Sequence, residues 1–362
     1  MSSRRIPIKT ARRPVEHRHT FACLGGNCTV VVADSRRPAY AAEWAAVSKR
    51  SLQSWHGRFS RFEPASEVST LNADPRPEVP VSRMLRRLIE VGLSAARETG
   101  GLVDMTLGAE IERAGYASHF DGPAIGLRKA LWLAPPRSPA GPSPEPSWRE
   151  IKLDPLEPVV RRRFGTIVDP GGIANGVFAD QLAGALSSFD EFAVDCSGDV
   201  RIGGRATTAR EVHVSSPFDG SILHTFAVSS GGMATSGIGQ RSWIDDDGRP
   251  AHHLLDPRTG RPAFTGIVQA TALAPTSAEA EVLAKAALLS GPERAPDWLA
   301  HGGVFVRDDG SYEVFEPAGE EMPSPAISAS VPVGVRSASH ERMSASTASR
   351  SGSFRISWKR PS

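Results

Sequence analysis

The chain has 362 residues, of which 40% are hydrophobic and 23% charged, and its formal net charge is +2. This balance is typical of a globular protein with a sizeable core. No stretch approaches the roughly 20 apolar residues of a membrane-spanning helix, and the first residues lack the apolar segment of a secretory signal. We therefore expect a cytoplasmic protein with no membrane span. The three cysteines form no C-x-x-C pair, so we expect buried thiols rather than a zinc site or a disulfide framework.

Positive charge is concentrated at the two ends of the sequence. Residues 1–20 and residues 322–362 each carry six Lys or Arg and one Glu, so each end is +5 and the part between them is −8. An acidic middle does not attract a polyanion, which argues against nucleic-acid binding. Residues 1–19 are predicted to be a flexible basic terminus, and residues 322–362, with 12 Ser, a disordered tail.

The apolar pattern predicts both strands and helices. Short β-branched or aromatic runs predict strands at 28–33 and 304–307. Helical spacing predicts helices at 83–98, at 176–186 and at about 278–290. Because strands and helices do not alternate steadily along the chain, an α+β fold is favoured over a doubly wound parallel sheet.

A proline-rich segment interrupts this pattern. Eight prolines lie within residues 134–158, where neither a helix nor a central strand can continue. A long surface connection inside one domain and a boundary between two lobes both fit this composition.

Five glycine-rich motifs lie beside the predicted elements. They are GGLVDMT (100–106), VDPGGIANG (168–176), DCSGD (195–199), ATSGIG (234–239) and HHLLDPRTG (252–260). Turns and helix caps explain each motif singly. Together they favour a phosphate site, since glycine lets backbone amides approach a phosphate and a helix N-terminus adds partial positive charge. Neither G-x-G-x-x-G nor G-x-x-x-x-G-K-[ST] is present, which excludes a Rossmann fingerprint and a P-loop.

Read in order, these motifs resemble those of the FAD:protein FMN transferases, the ApbE-type family. The matching positions are Leu24-Gly25, Phe62, Ser66-Glu67, Asn72, the Gly-x-x-Asp-x-Thr element at 101–106, the Asp-x-Gly-Gly-Ile-Ala-x-Gly turn at 169–176, the Gly-rich strand end at 197–198, Thr-Ser-Gly at 235–237 and His-x-x-Asp-Pro-x-Thr-Gly at 253–260. The last is the most specific. The resemblance implies one domain over residues 20–321, an α+β fold of mixed, largely antiparallel sheets with flanking helices in two intimately packed lobes.

The resemblance also implies an activity. Such an enzyme takes FAD as substrate, releases AMP and leaves FMN bound through a phosphoester to a Thr or Ser of an acceptor flavoprotein. The resemblance implies Mg²⁺ as its metal cofactor. His253 would be the general base, since imidazole has an ordinary pKa of about 6.5 and can accept a hydroxyl proton at neutral pH. Without the signature, a turn histidine bonded to the backbone is the simpler interpretation.

The resemblance assigns further residues to the nucleotide site. The implied contacts for the flavin are Leu24, Phe62, Leu102, Val103, Asp104, Asp169, Asn175 and Leu254. In the signature turn, Asp256 and Pro257 would shape the corner, and Thr259 with the amides around Gly260 would lie near the phosphates. A flat aromatic face suits a flavin ring, but Phe62 fits an ordinary core position as well. Asn175 stands where many family members have Lys or Glu.

The implied metal site departs from the family pattern. It consists of the Gly172 carbonyl with Glu281 and Lys285, which stand where the family has Asp and Thr. Spacing of four puts Glu281 and Lys285 on one helical face. Either they form an exposed ion pair, or the Lys285 ammonium stands near the Gly172 carbonyl and partly replaces the cation.

Two functional hypotheses therefore remain. One is an active flavin transferase, or a relative that only hydrolyses FAD. The other is an FAD-binding carrier or accessory protein that has lost transfer. The intact signature favours the enzyme, because binding alone would not require His253.

Overall fold

A computed structural model describes residues 14–118, 125–206 and 208–317. The strands are β1 (Glu16–Cys23), β2 (Gly26–Ala33), β3 (Glu78–Pro80), β4 (Lys152–Leu153), β5 (Val159–Arg161), β6 (Glu191–Cys196), β7 (Asp199–Gly203), β8 (Arg210–Ser215), β9 (Ile222–Val228), β10 (Gly231–Gly237), β11 (Ser242–Ile244), β12 (Pro250–His252), β13 (Leu255–Asp256), β14 (Arg261–Pro262), β15 (Ile267–Ala274), β16 (Gly303–Arg307) and β17 (Tyr312–Phe315). The helices are α1 (Pro38–Phe59), α2 (Glu67–Ala73), α3 (Arg83–Glu98), α4 (Gly108–Arg113), α5 (Leu127–Leu133), α6 (Ala174–Leu186) and α7 (Ser277–Ser290).

The centre of the fold is an eight-stranded sheet in the order β1-β2-β6-β7-β10-β15-β16-β17. Every strand pairing in the described residues is antiparallel. The predicted α+β class with largely antiparallel sheets is therefore confirmed. The doubly wound parallel alternative is excluded.

The central sheet is covered on both faces, because successive side chains of a strand point to opposite sides. Val30 and Val32 of β2 pack into a core with α1, α3 and α6. Val31 points the other way and packs with the β8–β9 hairpin. A second large core on the helical side surrounds α7, β15 and β16.

The proline-rich segment runs over the surface and is bonded to the second core. Ser138 N–H donates to the Phe264 carbonyl at 3.0 Å, and Ala140 N–H donates to the Leu289 carbonyl at 2.8 Å. Further along, Trp148 is buried in the first core. We call residues 138–148 the strap, since this stretch joins the two cores across the outside.

The predicted elements are found where the pattern places them. The strands predicted at 28–33 and 304–307 correspond to β2 and β16, and the predicted helices to α3, α6 and α7. All three cysteines are buried free thiols, as expected. None of the described helices is long and apolar enough to cross a membrane.

The folded chain begins earlier than predicted. Strand β1 starts at Glu16, inside the segment predicted to be a flexible terminus, and pairs with β2 along its whole length. Its sequence is polar because its side chains are mostly half-exposed at the sheet edge, so no apolar alternation reveals it. The rest of that segment before residue 14 and the predicted tail at 322–362 lie outside the described residues.

Candidate active site

The Asp-Pro-Gly-Gly turn leads into α6 and is fixed on two sides. Asn72 bonds to both backbone groups of Val168, each at 2.9 Å, and so holds the residue before the turn. Asp169 accepts from the Gly171 N–H at 2.9 Å, which closes the turn. Asn72 of the family pattern therefore has a positioning role.

Helices α6 and α7 approach closely at Gly176. A Cβ atom at this position would lie 2.6 Å from Ala278 Cα, so the approach requires glycine. As a result the Gly176 N–H donates to Glu281 Oε2 at 3.0 Å. Asp180 accepts from the first two amides of α7, Ser277 and Ala278, at 2.9 Å each, which fixes the start of that helix.

Lys285 projects from α7 to the turn before α6. Its Nζ donates to the Gly172 carbonyl at 2.5 Å and lies 3.6 Å from Glu281 Oε1. The ion pair considered from the sequence is therefore present, but it is not exposed, since the Lys285 and Glu281 side chains are only 14% and 7% exposed. The structure has the alternative geometry, with the ammonium on the Gly172 carbonyl.

Two buried carboxyl groups face this ammonium. Burial raises the pKa of Asp199, and the Lys285 charge and the Asn175 amide oppose that rise. Burial, and then the nearby Asp199, raise the pKa of Glu281. Lys285 is therefore the positive charge beside these two groups, and the Asn175 amide donates to Asp199 while Asn175 also lines the cavity.

His253 follows β12 and lines the cavity described below. Burial, aided by the positive charge of Arg241, lowers the pKa of His253 well below the ordinary value, so its ring is neutral at pH 7. The buried Nδ1 of His253 has no hydrogen-bond partner among the described residues. A neutral imidazole with an unused ring nitrogen can accept a proton.

The signature turn after His253 is closed by hydrogen bonds between its own backbone groups. Thr259 and Gly260 N–H donate to the Asp256 carbonyl at 3.1 and 2.8 Å. The Asp256 side chain accepts from the Gly141 N–H of the strap at 2.9 Å. Asp256 therefore shapes the corner of the turn, as predicted. Neither Asp256 nor Thr259 lines the cavity described below, and the place of Thr259 near the phosphates stays a prediction.

One large cavity lies between the turn before α6, α7 and the His253 loop. Of the predicted site residues, those that line it are Leu24, Phe62, Leu102, Val103, Asp104, Asp169, Gly172, Asn175, His253, Leu254 and Lys285. Glu281 does not line it and acts through Lys285. Leu24 adopts a left-handed φ of 56°, which turns the β1–β2 hairpin toward this wall.

Arg61, Tyr116 and Arg241 are among the cavity residues that the sequence analysis missed. Arg61 bonds to Asp169 at 2.9 Å and lies over the ring of Phe62, 4.1 Å from its centroid. Tyr116 meets Phe62 edge-on, with centroids 5.3 Å apart, and Arg241 lies beside His253. Their only sequence signal was proximity, since Arg61 precedes Phe62 and Arg241 lies between the Thr-Ser-Gly and His-x-x-Asp-Pro motifs.

An α+β protein with this cavity, lined by aromatic and apolar side chains, cationic groups and a neutral imidazole, can bind a flat ligand that carries phosphates and remove a proton beside it. The sequence model of the ApbE family matches residues 24–306. The chain therefore belongs to the ApbE family.

Individual relatives agree with this assignment. The FAD:protein FMN transferase of Treponema pallidum is 28% identical over 303 residues, which cover 77% of this chain and 80% of the relative. That of Klebsiella pneumoniae is 25% identical over 240 residues, covering 65% and 67%. The crystal structure of an ApbE protein from Thermotoga maritima has a TM-score of 0.68 at 25% identity and covers 83% of this chain and 97% of its own. The apo Pseudomonas stutzeri flavinyl transferase ApbE shares the fold, with a TM-score of 0.66 at 19% identity and coverage of 84% and 95%.

Proposed function

We propose that this chain is an FAD:protein FMN transferase, which cleaves the FAD pyrophosphate, transfers FMN to a Thr or Ser hydroxyl of an acceptor flavoprotein and releases AMP. The observation that carries the proposal is the neutral, buried imidazole of His253 in the same cavity as the Lys285 ammonium. One group can take the hydroxyl proton, and the other can offset phosphate charge. The names of the similar proteins support the same activity.

The proposed reaction is a displacement at phosphorus. The acceptor oxygen attacks the FMN-side phosphorus, and the bond from that phosphorus to the bridging oxygen breaks. AMP leaves with the bridging oxygen and the bonding electron pair, and the hydroxyl proton passes to His253. Catalysis of this kind depends on positioning and on compensation of charge rather than on covalent bonds to the protein.

One wall of the cavity is largely apolar and aromatic, which suits the flavin ring. Phe62 is half-buried and lies between Arg61 and Tyr116, so one wall presents aromatic and guanidinium planes. Leu102 and Val103 are buried beside it. Stacking on an aromatic face contributes about 0.5–1.5 kcal/mol beyond burial.

The family resemblance implies Mg²⁺ as a metal cofactor, with Gly172, Glu281 and Lys285 at the ligand positions. These groups do not fit the ion, because Mg²⁺ requires oxygen ligands and Lys285 offers only N–H donors. The ammonium also occupies the Gly172 carbonyl. A divalent ion on the same oxygen, about 3 Å from the ammonium, would be repelled by roughly 10 kcal/mol at an effective dielectric constant of about 20. No step proposed here uses a metal at these residues.

The test uses purified full-length protein, FAD and a panel of Thr-containing peptides. AMP release and flavin-labelled peptide support transfer, whereas FAD binding with neither product contradicts it and favours the accessory-protein hypothesis. The His253→Ala variant should lose AMP release by about 10²–10⁴-fold, the usual contribution of a general base. FAD affinity, measured by flavin fluorescence, should change little, because the imidazole acts on the incoming hydroxyl.

His252→Ala is the matched control for His253→Ala. His252 is buried away from the cavity lining, so its loss should lower stability and leave turnover per folded molecule nearly unchanged. Equal turnover in the His253→Ala variant and the wild type would remove His253 from the role of base.

A further inference from the structure

The ammonium of Lys285 is held in place by backbone and side chain together. It donates to the Gly172 carbonyl at 2.5 Å, and Glu281 Oε1 lies 3.6 Å away. Glu281 is itself fixed, because its other oxygen accepts from the Gly176 N–H at 3.0 Å. A long flexible side chain is thus held with its charge at one point.

That point lies on the cavity wall beside the candidate base. Gly172, Lys285 and His253 all line the cavity, and the Lys285 charge acts on the His253 ring. The Lys285 side chain keeps 14% of its surface exposed, so its ammonium is accessible from the cavity while Glu281 behind it is not. Lysine can donate three hydrogen bonds, and the Gly172 carbonyl uses one of them. A second donor faces Glu281, which leaves one for a phosphate oxygen.

We propose that Lys285 is the resident cation of this site: its ammonium binds the FAD pyrophosphate and offsets the charge that develops on departing AMP, so that the chain cleaves FAD without a divalent metal. This inference rests on the proposed transferase function and specifies its chemistry. Glu281 and the Gly172 carbonyl are positioning groups for the ammonium. A fixed donor aimed at developing negative charge needs no reorganisation during the reaction.

The experiment compares the wild type with Lys285→Met and Lys285→Thr, using FAD, EDTA and added Mg²⁺, with AMP release as readout. The wild type should keep its rate in EDTA, with less than about a twofold gain from Mg²⁺, because its cation is part of the chain. Lys285→Met should lose about 10²–10³-fold in either condition, as expected for loss of one charge-stabilising group. Lys285→Thr should be equally slow in EDTA and should recover with Mg²⁺.

A second readout does not depend on activity. Mn²⁺ binding, followed by electron paramagnetic resonance with and without FAD, should be undetectable in the wild type at this site and present in Lys285→Thr. Lys285→Arg keeps the charge and should stay independent of metal, which separates loss of charge from loss of folding. Lys129→Thr, an exposed lysine on α5, is the matched control and should behave as the wild type.

The outcomes are distinct. If EDTA abolishes AMP release by the wild type and Mg²⁺ restores it, the resident-cation proposal is overturned while the transferase function stands. If AMP is released in EDTA at an unchanged rate by Lys285→Met, the ammonium has no catalytic part. If FAD binds but no condition yields AMP, both proposals fail.

Discussion

His252 and His253 are adjacent in the sequence but lie in different environments, which gives them different roles. His252 ends β12, is 1% exposed and lies edge-on to Phe264, with ring centroids 4.8 Å apart. Burial lowers the pKa of His252 to about 3, so it is a neutral core residue. His253 points to the opposite side, as successive residues of extended backbone do, and reaches the cavity.

The lowered pKa of His253 predicts the pH dependence of the reaction. A base whose pKa is depressed stays unprotonated as pH falls through 6.5, so the imidazole remains competent in mild acid. We expect AMP release, measured as kcat/KM for FAD, to show no His253-dependent decline between about pH 8 and 6. A decline centred near 6.5 that His253→Ala removes would show an ordinary imidazole instead.

Single residues also show what a sequence pattern can reveal. Lys285 could be placed beside Gly172 only through the family resemblance, which pairs the turn with this helix, whereas helical spacing alone puts Glu281 and Lys285 on one face. The role of Asp256 in the corner could be predicted from the Asp-Pro turn, but a turn that faces a ligand contains the same residue types, so the sequence does not fix where Thr259 lies relative to the cavity. Arg61 was missed, since nothing about a lone arginine in sequence shows that it packs on Phe62.

At the scale of elements, the β6–β7 connection places a carboxyl group inside the core. Asp195 accepts from the Gly198 N–H at 2.8 Å, yet burial raises the pKa of Asp195 to about 7. The folded state therefore holds a proton that the unfolded chain releases near its ordinary pKa of about 4. Stability from this group is highest in acid and falls as pH rises from about 4 to about 7, by up to about 1.4 kcal/mol per pH unit.

Asp195→Asn should remove this pH dependence. The amide oxygen can still accept from Gly198, and no charge has to be buried above neutral pH. Relative to the wild type, the variant should gain stability at pH 8 compared with pH 5, as measured by urea unfolding. Asp246→Asn, an exposed control, should leave the difference between the two pH values as it is. A constant offset between Asp195→Asn and the wild type would contradict the buried proton.

The signature turn and the strap form one structural unit. Asp256→Ala leaves the buried Gly141 N–H without its acceptor, which should lower the free energy of unfolding by about 1–3 kcal/mol. Because Asp256 does not line the cavity, turnover per folded molecule should remain within a few-fold of the wild type. Urea unfolding and AMP release test the two halves of this prediction.

Asp297→Ala is a suitable control for the turn. Asp297 is exposed and, among the described residues, forms a surface ion pair with Arg294, so its removal should cost little stability. If Asp256→Ala were as stable as the wild type but inactive, Asp256 would act on the nucleotide rather than on the turn.

At the scale of the whole molecule, the fold class was predictable and the strand order was not. Helix α3 could be recognised because its apolar stripe is regular. Strand β10 consists almost entirely of the small residues Gly, Ala, Ser and Thr, and Ala and Thr make up half of the neighbouring β15, so neither strand shows an alternation of apolar and polar residues. Pairing of β10 with both β7 and β15 comes from long-range register, which local sequence does not encode.

The strap is a part of the protein surface that should tolerate insertions and substitutions poorly. Loops on a surface ordinarily accept insertions and substitutions freely. Here the backbone of residues 138–141 is bonded to the end of α7, to Phe264 and to the signature turn that follows His253. A scan of single-residue insertions should therefore find the stretch near Ala140 as intolerant as the interior, with damage appearing first in catalysis and only later in solubility.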